Sequence, residues 1–270
     1  MFEYATASVL YGEQTLETAC REIAGAGIRY IDLWHVGGWC EHLAGGAEAV
    51  RETLDRYGLK LEAISAYRTP YEKVPELFET LKELGGSVLV MGSAPPTMTV
   101  KEFAEKIAPL VEQAERIGVT LSIENHGHAV IDSIESMVEL VRLFPGPGLG
   151  ITLAPIHLYR RGESTADAIR SLRGKIGLIY IWDWGKSADV YWKDPSEQFL
   201  GSGEIDYGPI FEALVEVEYP RPLNIFAHGP EHLPPAETTK RLRKALDVAR
   251  ALEKEARFGA RKAGNGRGMR

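Results

Sequence analysis

The chain has 270 residues, 44% of them hydrophobic and 26% charged, with a formal net charge of −7. This balance suffices for one large core and argues against a surface made to hold a phosphate backbone, since that affinity comes from lysine and arginine; nucleic acid is a weak candidate as partner. Cys20 and Cys40 form neither a disulfide framework nor a metal-ligand spacing, and no stretch approaches the roughly 18 apolar residues of a membrane span, so a cytoplasmic protein without a membrane partner is expected.

In chain order, a strand-like run from Tyr4 to Val9 precedes helical spacing from Leu16 to Ala24 and a break at Gly25-Ala26-Gly27. The alternation continues with strand Tyr30 to Trp34 and helix Ala47 to Tyr57, strand Leu61 to Ala66 and helix Val74 to Leu84, and strand Val88 to Met91 and helix Val100 to Ile117. The second half repeats the plan: strands Thr120 to Ile123, Leu149 to Leu153, Ile176 to Trp182 and Leu223 to Ala227 precede helices Ile134 to Phe144, Thr165 to Leu172, Tyr207 to Val217 and Pro235 to Ala256. Eight such units predict an α/β fold, a single (β/α)8 TIM barrel with parallel strands over residues 1–258; a doubly wound open sheet is the alternative. The connection from Gly185 to Glu204 is long enough to suggest a functional loop. Residues 259–270, rich in Gly, Arg and Lys, predict an unordered basic tail.

All seven histidines and five tryptophans fall where a predicted strand hands over to a helix, the rim on which such barrels carry their chemistry. Glu124 follows the apolar run Thr120 to Ile123 and can ligate a cation or move a proton; capping the next helix is the bland alternative. His157, Asp183 and His228 end the following three strands, and an imidazole beside carboxylates can act near neutral pH as acid, base or donor to an oxyanion. Glu124, His157, Asp183 and His228 are thus the candidate catalytic residues. Trp34, His35, Tyr67, His126, Tyr180, Trp182, Trp184 and Lys186 are the candidate substrate-binding residues, the aromatic rings suited to the apolar face of a sugar. Tyr159 and Arg68 are further rim residues, with packing or a surface charge as their plain explanation.

Three pieces of the sequence resemble the xylose isomerase-like TIM barrel superfamily, which holds sugar and sugar-phosphate isomerases and epimerases, inosose dehydratases and apurinic endonucleases. They are Thr15-Leu16-Glu17 with Ala26 to Leu33, Ile123-Glu124-Asn125, and Leu200 to Tyr207. The resemblance implies a divalent ion on four side chains, with carboxylates moving a proton of a sugar-like substrate. Carried over by position, it puts Glu124 at the first ligand place but Ala154, Tyr180 and Phe226 at the other three, while His157 and Asp183 keep the accompanying places. Methyl and phenyl groups cannot bind a hard cation, so no confident metal site is expected. A relocated manganese, magnesium, zinc or cobalt ion on Glu124, His157, Asp183 and His228 is the alternative.

The expectation is an isomerase or lyase that moves a proton next to a carbonyl of a small sugar-like compound without the usual ion. Loss of the closing glutamate counts against a two-carboxylate epimerase. A non-catalytic sugar-binding or regulatory barrel is the rival, because fold does not fix function. An endonuclease would need a zinc cluster and a cationic groove, and the sequence offers neither. A homo-oligomer is compatible with these features.

Overall fold

A computed structural model describes residues 1–185 and 195–267. Eight parallel strands close on themselves: β1 (Tyr4–Ala7), β2 (Tyr30–Val36), β4 (Lys60–Ser65), β5 (Val88–Met91), β6 (Thr120–Glu124), β7 (Leu149–Leu153), β8 (Ile176–Ile181) and β9 (Leu223–Ile225). β1 pairs with both β2 and β9, which removes the open edges and excludes the doubly wound sheet. The two-residue β3 (Cys40–Glu41) folds back antiparallel on the end of β2, a hairpin the sequence reading did not include.

The outer layer consists of α1 (Leu16–Gly25), α2 (Gly46–Tyr57), α3 (Val74–Glu83), α4 (Val100–Ile117), α5 (Ile134–Leu143), α7 (Thr165–Ser171), α8 (Gly208–Glu216) and α9 (Pro235–Arg267), with the short α6 (Pro155–Arg161) at the rim. Local chemistry sets their ends. Thr99 and Glu102 form a capping box at the start of α4, and Gly118 ends that helix at φ 79°, a left-handed conformation that glycine adopts without a Cβ clash. α9 continues through Gly259 to Arg267.

Residues two apart on a strand share a side. Asp32 and Trp34 on β2, Ser122 and Glu124 on β6, Tyr180 and Trp182 from β8, and Asn224, Phe226 and His228 from β9 therefore stack upward inside the barrel, and each is buried. The lower interior is polar and small: Thr152 donates to Ser122 at 2.7 Å, and a Cβ on Gly177 would fall 2.6 Å from the Ser122 Oγ. At the base Arg221 donates to Ser87 at 2.6 Å and pairs with Glu62 at 3.3 Å. Cys20 and Cys40 are both free and buried. Among the described residues no helix is long and apolar enough to cross a membrane.

Candidate active site

At the C-terminal mouth of the barrel lies a cavity of about 470 Å3, with Glu124, Tyr67, His126, Trp182 and His228 in its wall and Arg68 at its edge. Two of the three non-glycine residues with left-handed backbone among the described residues, Arg68 and His128 (both φ 64°), sit in loops of this rim. Such strained positions persist where the surroundings over-determine them and concentrate at functional sites.

Glu124 is the last residue of β6 and only 5% exposed. Burial pushes its carboxyl up to about 8, the Tyr67 hydroxyl pulls the other way, and the nearby Asp32 charge adds to the rise. At neutral pH this side chain is therefore largely a carboxylic acid.

Beneath it lies a network that the sequence reading did not single out. Asp32, fully buried, accepts from Ser65 Oγ at 2.7 Å on one oxygen, and from Trp34 Nε1 at 3.1 Å, Asn224 Nδ2 at 3.2 Å and the Tyr180 hydroxyl at 3.3 Å on the other. Burial raises it to about 6, with these donors opposing the rise. The Tyr180 hydroxyl lies 3.3 Å from that of Tyr67, and burial drives both phenols well above their ordinary range. The signal for this network was a polar residue inside each apolar strand, Asp32 in Tyr30 to Leu33 and Asn224 in Leu223 to Phe226.

Of the other expected catalytic residues, His228 lines the cavity, edge-on to Trp182 at 4.9 Å and stacked on Trp39 at 5.4 Å. Burial, with His126 nearby, holds it neutral, down to about 3. His157 sits on α6 rather than at the end of β7, because Pro155 starts a helix as soon as the strand stops. It is buried behind His126 with ring centroids 4.2 Å apart, neither of its ring nitrogens has a hydrogen-bond partner, and burial pushes it well below the usual histidine range. Asp183 faces the chain itself: its oxygens accept from the backbone N–H groups of Trp184 at 2.9 Å, Gly201 at 3.0 Å, Gly203 at 3.1 Å and Ile205 at 3.0 Å. Burial raises its carboxyl, and these four donors work against the rise.

Of the expected substrate-binding residues, Tyr67, His126 and Trp182 line the cavity. Trp34 and Tyr180 lie a layer below, packed on Phe226 at 5.5 and 4.4 Å. His35 does not line the cavity: strand alternation turns it away from Trp34 to the side of β3, near His42. Trp184 is buried under the Arg160 guanidinium at 5.1 Å, outside the cavity wall. Tyr159 is 39% exposed and bonds Glu204. Lys186 and Trp192 lie outside the described residues.

The four places at which the resemblance implies a cation are Glu124, Ala154, Tyr180 and Phe226, and these residues do not fit one. Tyr180 gives its proton to Asp32, and the Phe226 ring is wedged among Trp34, Tyr180, Trp182 and His228. The relocated set does not assemble either, since Asp183 is spent on backbone donors, and among the described residues no three His, Cys, Asp or Glu side chains form a group that could hold a metal ion.

Fold and geometry together define a TIM barrel with a buried carboxyl, Glu124, in the wall of a pocket at its C-terminal mouth. The family model for the xylose isomerase-like TIM barrel matches residues 20–252, and the chain belongs to that family. No curated protein matches it. Among solved structures, an L-ribulose 3-epimerase is 18% identical with a TM-score of 0.77, covering 97% of this chain and 98% of its own. The IolI protein with a bound zinc atom is 18% identical with a TM-score of 0.75, covering 94% and 99%. A structure described as the probable 3-DHS dehydratase AsbF from Bacillus anthracis is 17% identical with a TM-score of 0.70, covering 87% and 97%. At these identities the likeness carries the fold alone.

Proposed function

We propose that this protein is an isomerase or lyase that moves a proton next to the carbonyl of a small sugar-like substrate, without the divalent ion of its relatives. The observation that carries the reading is Glu124: a buried carboxyl held up to about 8, in the wall of a cavity of about 470 Å3. A general acid or base works best when its pKa lies near the working pH, and a shifted carboxyl in a cleft is a functional candidate. The cavity suits a single sugar-sized molecule, with Trp182 offering an apolar face and the rings of His126 and His228 offering donors to a developing oxyanion. His157, tilted against His126, backs that ring. Asp183 serves as a positioning residue that shapes the rim through the backbone.

The solved relatives named for epimerase and dehydratase activities support carbohydrate chemistry as the class. Localisation in the cytoplasm and self-association belong to the same proposal.

The test is proton exchange. A panel of keto and aldo sugars is incubated with metal-free protein in heavy water and followed by proton NMR. Deuterium is expected to enter at the carbon next to the carbonyl of at least one compound, and Glu124→Gln is expected to slow this by about 10²-fold or more while the fold is kept. Binding without exchange would favour the sugar-binding rival. Exchange that appears only with an added divalent ion would refute the metal-independent part.

A further inference from the structure

Arg68 belongs to the cavity, yet the chemistry just described gives it nothing to do. It is an exposed residue at the edge of the wall, in the connection after β4, with left-handed backbone at φ 64°. Arg160 and Arg161, the arginines of the rim helix α6, are both engaged. The first lies over the Trp184 ring at 5.1 Å, and the second bonds Asp132 at 2.7 Å and Glu163 at 3.0 Å. Among the described residues the Arg68 guanidinium has no carboxylate, hydrogen-bond acceptor or aromatic ring as partner.

The polar groups that accompany it are hydroxyls. Thr69 and Tyr71 from the same connection and Ser93 from the loop after β5 line the cavity. Ser93 Oγ accepts from the Ile131 N–H at 3.3 Å and so keeps its own proton to give. β4 and β5 are neighbours in the barrel, and β6, which ends in Glu124, is the next strand. The wall therefore runs from a guanidinium and its hydroxyls to a carboxyl, with Trp182 and His228 facing them from the ends of β8 and β9. Burial keeps Glu124 largely protonated at neutral pH, and it is the sole carboxyl of the described wall, so no carboxylate there answers the guanidinium. The Asp32 carboxyl below is already held by Ser65, Trp34, Asn224 and Tyr180. Arg68 is not among the groups that act on Glu124, so the cation and the proton-moving carboxyl occupy separate parts of one cavity.

We propose that Arg68 is the specificity-determining residue of this cavity and that the substrate is an anionic sugar derivative, a sugar acid or a sugar phosphate, whose charged group docks on the guanidinium. The planar guanidinium fork matches both oxyanions, taking two of their oxygens at once. The hydroxyls of Thr69, Tyr71 and Ser93 supply further donors, and the rest of the molecule extends toward Glu124. A neutral sugar leaves the cation without a counter-charge. The backbone agrees with this role: glycine would hold the left-handed turn without strain, so an arginine at this place is accounted for by its side chain. The proposal rests on the reading of this cavity as a site for one sugar-sized molecule.

The experiment is isothermal titration calorimetry of the full-length protein at neutral pH with D-glucose, D-glucuronate and D-glucose 6-phosphate, and then with D-fructose and D-fructose 6-phosphate. In at least one set a charged probe is expected to bind about 10- to 100-fold more tightly than its neutral parent, the range for hydrogen bonds to a charged group. Whether the glucuronate or the phosphates gain more tells carboxylate from phosphate. Arg68→Asn removes the charge while tolerating left-handed backbone, and is expected to bring the charged probes down to the affinity of the neutral ones. Arg29→Gln, before β2 at the opposite end of the barrel, removes the same charge far from the cavity and is expected to keep the preference. Charged probes that bind no better than the neutral ones, or not at all, would overturn the proposal. So would a preference that survives Arg68→Asn or falls equally in Arg29→Gln. Binding is read without turnover, so the two proposals part: an Arg68-dependent preference without proton exchange in heavy water keeps this one and removes that for the reaction, and exchange confined to neutral sugars does the reverse.

Discussion

Asn224 shows how a single side chain carries consequences beyond its size. Its amide donates to Asp32 at 3.2 Å, while its carbonyl oxygen is buried with no partner. Only the need to stabilise a buried carboxylate accounts for so costly a residue inside a strand. Asn224→Ala is expected to lower the denaturant-derived stability by about 1–3 kcal/mol; a loss below a few tenths would mean that Ser65, Trp34 and Tyr180 suffice. Glu124 was legible in the sequence because it ends an apolar run just before a loop rich in histidine. The group Asp32, Tyr180 and Tyr67 was not, because its members come from β2, β8 and the loop after β4, and only barrel closure brings them together. His157 was misjudged for a local reason: Ala154-Pro155 reads equally well as a strand end or as the residue before a helix start, and tertiary context chose the helix.

At the scale of elements, the end of the long connection after β8 is held from inside. The four backbone N–H groups on Asp183 span Trp184 to Ile205, and Gln198 Oε1 accepts from both the indole of Trp182 at 2.9 Å and the backbone of His228 at 3.1 Å. Two side chains thus tie this connection to the mouth of β8 and β9. Asp183→Asn puts an amide where backbone donors converge. It is expected to cost about 3 kcal/mol in urea unfolding, in line with hydrogen bonds to a charged group, and to reduce turnover without moving the Glu124 midpoint. A variant as stable as the original would refute this role. The strands and their helices were legible because parallel barrels keep apolar strands and amphipathic helices in strict alternation. The bond pattern of Asp183 was not, since it depends on glycines 18 and 20 residues further on.

For the whole molecule, buried groups pull stability in opposite directions with pH. Glu124 is raised from 4.5 to about 8, so it binds its proton more tightly when folded; its contribution is complete below about 4.5 and is lost as pH rises toward 8. His228 is lowered from 6.5 to about 3, so its contribution is complete above about 6.5 and is lost as pH falls toward 3. The buried, neutral His157 acts in the same sense as His228. Unfolding temperature is therefore expected to fall on both sides of a maximum in the mildly acidic to neutral range. In Glu124→Gln the decline between pH 5 and 8 is expected to flatten while the acid side is unchanged, as read by calorimetry across the range. An equally steep alkaline limb in that variant would show that the carboxyl is not the group responsible.

Phe226 also bears on the history open to this barrel. Its ring touches Trp34, Tyr180, Trp182 and His228, so an acid introduced there alone would be stranded among aromatic faces with nothing to neutralise it. An ancestor that bound an ion could lose it by one change at this spot, whereas a descendant could regain it only if several neighbours changed together. The phenyl group thus works as a ratchet: no single substitution at this place restores a cation ligand.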